Sequence, residues 1–138
     1  MHNQYVLDSY AILALLNDES GAARVAELLQ QAENDEITLS MSLINLGELA
    51  YIVERRWGQE KLRTALAYLE ETALNIVPAS KERVLTAANI KAHYPMAYAD
   101  AFAAALGKEL SATLLTGDPE FQIISDQIAI EWLSESDA

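Results

Sequence analysis

Cysteine is absent from the 138 residues, which excludes disulfides and thiolate metal sites. Histidine is almost absent: His2 and His93 are the only two, and they lack the spacing of a zinc pair. Positive charge is scarce, with nine Lys plus Arg against 21 Asp plus Glu, a net charge of −12 and a pI near 4.4. That balance argues against broad, sequence-independent nucleic-acid binding, which leaves a basic footprint. It suits divalent cations or a basic protein partner, and equally the ordinary role of acidic helix faces in solubility. No apolar run reaches membrane-spanning length, and the N-terminus lacks a basic, apolar, small-residue signal. A cytoplasmic protein without membrane contact is expected. Repeats, low-complexity tracts and linkers are missing, and only the final SESDA (134–138) has the polarity of a tail.

The residues present describe a folding chain. Hydrophobic residues make up 51% and charged residues 22%, enough for one domain over 1–138 with a substantial core. QYVLD (4–8), EITLS (36–40), NIVPA (75–79), SATLLTG (111–117) and IAIEWL (128–133) read as strands. Helical patterns cover 9–17, 20–34, 42–57, 59–73, 80–93 and 97–110, with a short helix at 118–124. Ser20 is the expected cap of the second helix and Trp57–Gly58 the turn of a helical hairpin. Pro78 marks a strand end or edge, and Pro95 breaks a helix. Strands separated by helices predict an α/β fold: a three-layer α/β/α sandwich around a mostly parallel sheet of about five strands.

Most of the acids lie on polar helix faces or in loops, but four have apolar surroundings. Asp8 ends the first strand in YVLDSYAILALL; Glu48 lies in SLINLGELAYIV; Asp100 lies in MAYADAFAAAL; Asp118 follows TLLTG. Asp8 and Asp118 fall at the carboxyl ends of expected parallel strands, the edge where open α/β sheets bind ligands. Glu48 and Asp100 lie near the starts of helices that begin at the same edge. Four carboxylates together repel and raise one another's pKa unless a cation compensates. A hard divalent ion with oxygen ligands is the economical answer, and it supports displacement at phosphorus. Each acid also has a purely local reading. Asp8 and Asp118-Pro119 suit helix caps, Asn45-x-x-Glu48 resembles a capping box, and Asp100 complements a helix dipole.

In this order, YVLDSYAILALL, MSLINLGELAY, YADAFAAALG and LLTGDPEF resemble the motifs of PIN-domain proteins, most of all the VapC-type ribonuclease toxins of toxin–antitoxin pairs. The resemblance spans nearly the whole chain. It implies a PIN-like fold, a quartet of Asp8, Glu48, Asp100 and Asp118 holding Mg²⁺ or Mn²⁺, and endonucleolytic cleavage of RNA. It also implies a homodimer and a cognate antitoxin with a DNA-binding domain that inserts a side chain into the cleft. Ser9, Asn45 and Thr116 stand where the family places supporting polar residues, and Gly117 admits close backbone approach or positive φ before Asp118. Tyr10 departs from the pattern, which commonly has a small or hydroxyl residue there, and it alters access to the cleft. The best basic cluster is Arg55, Arg56, Lys61 and Arg63 in RRWGQEKLR, read equally as an RNA contact or as a solvated turn; Lys81, Arg83 and Lys91 are a thinner set. With so few cations, ions must bridge much of the phosphate charge, and affinity is expected to depend steeply on salt. Trp57, Tyr94 and Tyr98 are candidates for base stacking, or for core and interface packing.

Two competing classes remain. One keeps the fold without catalysis, as a PIN-like protein- or RNA-binding module; the presence of all four acids argues against it. The other is a different acidic phosphoryl-transfer enzyme. Haloacid-dehalogenase-like phosphatases want a second Asp where this chain has Tyr10, and receiver domains want an Asp after the third strand, where it has Ala79 and Ser80. Both are disfavoured.

Overall fold

The computed structural model describes residues 3–133, so SESDA lies outside the described residues. Five strands, β1 (Asn3–Leu7), β2 (Ile37–Ser42), β3 (Asn75–Val77), β4 (Thr113–Thr116) and β5 (Ala129–Trp132), form one sheet. Every pairing is parallel, in the order β3-β2-β1-β4-β5. Six helices connect them: α1 (Ser9–Leu16), α2 (Ala22–Glu33), α3 (Leu43–Trp57), α4 (Gln59–Glu70), α5 (Lys81–His93) and α6 (Tyr98–Leu110), with a 3₁₀ segment at Pro119–Ile124.

Both faces of the sheet are covered, and the strands show why. Leu7, Leu39, Met41 and Leu115 point into a core shared with α1, α2, α3 and α4. Val6 and Leu114, their immediate neighbours, point into a second core with α5, α6 and the 3₁₀ segment. Alternate residues of a strand face opposite sides, so strands that bury successive residues need helices on both. The expected three-layer architecture is the one found.

Strand order places the site. From β1 the chain moves outward through β2 to β3, then returns to the other side of β1 as β4 and β5. The direction of winding therefore reverses between β1 and β4, and the carboxyl ends at such a switch point leave a crevice between diverging connections. The register pairs Leu7 with Leu115, which brings the next residues, Asp8 and Thr116, side by side at that crevice.

Several local expectations shift. The cap of α2 is Gly21, not Ser20; its φ of +93° and the Leu133 side chain, 2.8 Å from where a Cβ would sit, both demand glycine. Strand β2 runs on to Ser42, whose side chain then accepts from the Ile44 amide and caps α3. The hairpin turn falls at Gly58, as expected, and α4 ends at Glu70, short of residue 73. Pro78 directly follows β3, which is an edge strand. The run 118–124 winds as a 3₁₀ segment with Asp118 as its cap.

Candidate active site

Asp8 sits where β1 hands over to α1. Its Oδ1 accepts from the Ala11 amide at 2.9 Å, so it does cap α1. Its Oδ2 accepts from the Thr116 hydroxyl at 2.5 Å, across the switch point. Thr116 Oγ1 in turn accepts from the Asp118 amide at 3.0 Å, so one hydroxyl orients the first carboxylate and the backbone of the last. Asp118 accepts from the Glu120 amide at 2.9 Å and caps the 3₁₀ segment. The cap readings of Asp8 and Asp118 were therefore correct but incomplete: each cap uses one oxygen, and the second oxygen of Asp8 is the one that reaches Thr116.

Glu48 and Asn45 do not form a capping box. Ser42 is the cap of α3, which puts both residues on the helix face turned toward the rest of the site. The Ser9 hydroxyl donates to Glu48 Oε1, and Asn45 Nδ2 donates to the Ala99 carbonyl, beside Asp100, at 3.0 Å. Asn45 is fully buried, and its Oδ1 has no hydrogen-bond partner. Asp100 lies in the first turn of α6 and is only 7% exposed. Ser9, Asn45 and Thr116, picked out by their positions in the sequence, are all buried; Ser9 holds Glu48, Thr116 holds Asp8, and Asn45 holds the backbone beside Asp100.

Electrostatics tie the acids together. Burial pushes Asp8 up to about 7, against the lowering effect of its bonds from Thr116 and Ala11, with repulsion from Asp118 and Glu48 added. Burial also raises Asp100 to about 7, reinforced by Asp118, Glu48, Asp8 and Glu120 in that order. Asp8 and Asp100 thus each feel both Asp118 and Glu48. Glu120 is a fifth carboxylate that motif matching overlooked; one oxygen each of Asp100, Asp118 and Glu120 lies within 4.8 Å of the others. The signal was in the Asp118-Pro119-Glu120 run, because a tight turn after a cap brings the next acid back beside it.

This donor set fits a hard divalent cation. It is all oxygen, it is concentrated at one crevice, and among the described residues no Lys or Arg forms an ion pair with any of the five acids. The cationic side chains are engaged elsewhere. Arg24 pairs with Glu27 and Glu131, and Arg83 with Glu109. Arg55 lies over Tyr51 and Arg56 over Trp57, while Arg63 pairs with Glu60 at 2.6 Å. With Lys61 they stay exposed at the α3–α4 turn. Arg55 is seven residues beyond Glu48, about 10 Å along the helix. Gly117 needs its missing side chain for space: its φ is not positive, and a Cβ there would collide with the Tyr10 ring.

A family model described as the PIN domain matches residues 5–127. Among solved structures, VapBC2 from Rickettsia felis bound to a DNA fragment from their promoter superimposes with a TM-score of 0.76 at 20% identity, covering 95% of this chain and 99% of that one. VapBC-1 from nontypeable Haemophilus influenzae gives 0.69 at 25% identity, over 94% and 98%. The Mycobacterium tuberculosis VapC20, a sarcin-ricin loop cleaving toxin, gives 0.67 at 19%, over 86% and 92%. No curated protein sequence matches.

Proposed function

This chain belongs to the PIN-domain family, and from that premise we propose that it is a metal-dependent endoribonuclease, the toxin of a toxin–antitoxin pair. The observation that carries the reading is a crevice of mutually repelling carboxylates, two of them raised to about 7, with no cationic side chain paired to them among the described residues. Such a crevice is costly unless it serves a cation.

Asp8, Glu48, Asp100 and Asp118 are the residues proposed to hold Mg²⁺ or Mn²⁺, with Glu120, whose oxygen lies in one close group with those of Asp100 and Asp118. Bound there, a divalent ion supplies Lewis-acid activation of water and neutralises charge on the phosphate and leaving oxygen. The chain's own part is positioning. Thr116 fixes Asp8 and the Asp118 backbone, Ser9 fixes Glu48, and Asn45 anchors α3 to α6 beside Asp100. Burial excludes bulk water around Asp8 and Asp100, which strengthens every charge interaction in the crevice. Cleavage of this class leaves 5′-phosphate and 3′-hydroxyl ends.

Three of the similar structures are named as VapBC, and those from Rickettsia felis and Salmonella typhimurium are bound to DNA. By analogy the partner here is an antitoxin with a DNA-binding domain and a basic side chain suited to the acidic crevice. The same reading holds residues 1–138 to be one domain, active as a homodimer in the cytoplasm. Arg55, Arg56, Lys61 and Arg63 are the proposed contacts to more distant RNA phosphates. The test is cleavage of defined RNAs with Mg²⁺ or Mn²⁺. Asp8→Asn and Asp100→Asn are each expected to lose at least about 100-fold in rate. Undiminished activity in both overturns the assignment.

A further inference from the structure

Tyr10 is a large side chain beside the carboxylates with no part in the proposed metal site. It lies two residues after Asp8 and is 45% exposed, while Asp8, Ser9, Ala11 and Ile12 around it are buried. Its ring lies across Gly117, where a Cβ would be 2.3 Å from Cε1, 2.7 Å from Cζ and 3.0 Å from the hydroxyl oxygen. Any side chain at 117 would have to push the ring aside, and Gly117 has no positive φ to account for its being glycine. Glycine and tyrosine are therefore a matched pair. The ring bridges the turn that carries Asp8 and the turn that carries Asp118, forming a rim at the switch point.

We propose that Tyr10 is a nucleobase platform: its ring stacks on a base of single-stranded RNA next to the phosphate held by the carboxylates. The inference rests on the endoribonuclease reading. A chain with net charge −12, and among the described residues no cation paired to these acids, has little Coulombic hold on a polyanion. Stacking supplies affinity without charge and works on any base, because every base has a π-face. It also selects single strands, whose bases are free to leave their neighbours. Seating one edge of the ring on Gly117 fixes its orientation in advance, so less freedom is lost when a base arrives.

The test is binding of a fluorescently labelled single-stranded RNA oligomer by anisotropy, with Ca²⁺ as the divalent ion, alongside a cleavage assay in Mn²⁺. Tyr10→Phe keeps the π-face and is expected to bind within about two-fold of wild type. Tyr10→Leu keeps apolar bulk against Gly117 without the π-face, and Tyr10→Ala removes both; each is expected to weaken binding about ten-fold. Thermal melts confirm that each variant is folded, and the Leu variant carries the test if the Ala variant is not. Wild-type affinity in Tyr10→Leu overturns the platform, as does a wild-type protein that binds no RNA. Loss of binding in the Leu variant by a wild type that binds but does not cleave supports the platform while removing the nuclease reading.

Discussion

Asp8 makes two hydrogen bonds of different kinds, one that starts α1 and one that reaches across the sheet to Thr116. Neither compensates for its burial, so its carboxyl rises from the ordinary 3.8 to about 7, as does that of Asp100. The sign of the consequence follows from proton counting. Between those values the metal-free native state holds protons that the unfolded chain has released, so stability falls as pH rises. This contribution is fully present below pH about 4 and is lost by the time pH passes about 7, at up to about 1.4 kcal/mol per pH unit for each carboxyl. Urea denaturation of metal-free protein at pH 5 and pH 8 checks it. At pH 8, Asp8→Asn is expected to be more stable than wild type by about 1–3 kcal/mol, the reverse of its effect on activity. A second residue-scale outcome concerns Gly117. Gly117→Ala is expected to cost about 1–3 kcal/mol by forcing the Tyr10 ring away, and much less in a Tyr10→Ala background. A double-mutant cycle by chemical denaturation measures the difference.

At the scale of elements, the site depends on how α3 meets α6. The Asn45-Glu48 spacing mimics a capping box because helix caps are local patterns, and nothing local distinguishes a cap from a residue one turn further in. Ser42 takes the cap, so Asn45 is free to bond Ala99 and Glu48 to accept from Ser9. That single Asn–carbonyl bond links the helix carrying Glu48 to the one carrying Asp100. Asn45→Ala leaves the Ala99 carbonyl without this donor and is expected to cost about 1–3 kcal/mol. A drop in cleavage rate larger than the loss of folded protein, measured at a temperature where the variant is fully folded, marks loss of positioning and not of fold. The glycine that caps α2 in place of Ser20 is likewise crowded from afar: Leu133, over a hundred positions away, fills the space a Cβ at 21 would take.

For the whole molecule, charge and metal are linked. A ligand that binds only the native state stabilises it by mass action, about 2.7 kcal/mol at a hundred times its Kd. For a domain of this size that is roughly 5–10 °C in Tm. Mn²⁺ is expected to raise the melting temperature by this order and to flatten the pH dependence, since it replaces the protons of Asp8 and Asp100. In the Asp100→Asn, Asp118→Asn double variant the shift is expected to vanish, which calorimetry at matched ionic strength checks. Wild-type response in that variant places the ion elsewhere.

The sequence alone carried the element order, the α/β class, the hairpin turn at Gly58 and the four acids at strand ends and helix starts, because periodicity, caps and turn residues act within a few positions. Ser9, Asn45 and Thr116 were picked out through motif likeness, and the fold buries all three. Tertiary structure decided which groups meet. The Thr116 hydroxyl reaches Asp8 across 108 positions because the register sets Leu7 against Leu115. Glu120 joins Asp100, and Tyr10 rests on Gly117, through packing that no local pattern encodes. Strand order, and with it the switch point, is settled by how both faces of the sheet are buried at once. That is a property of the assembled layers and not of any one segment.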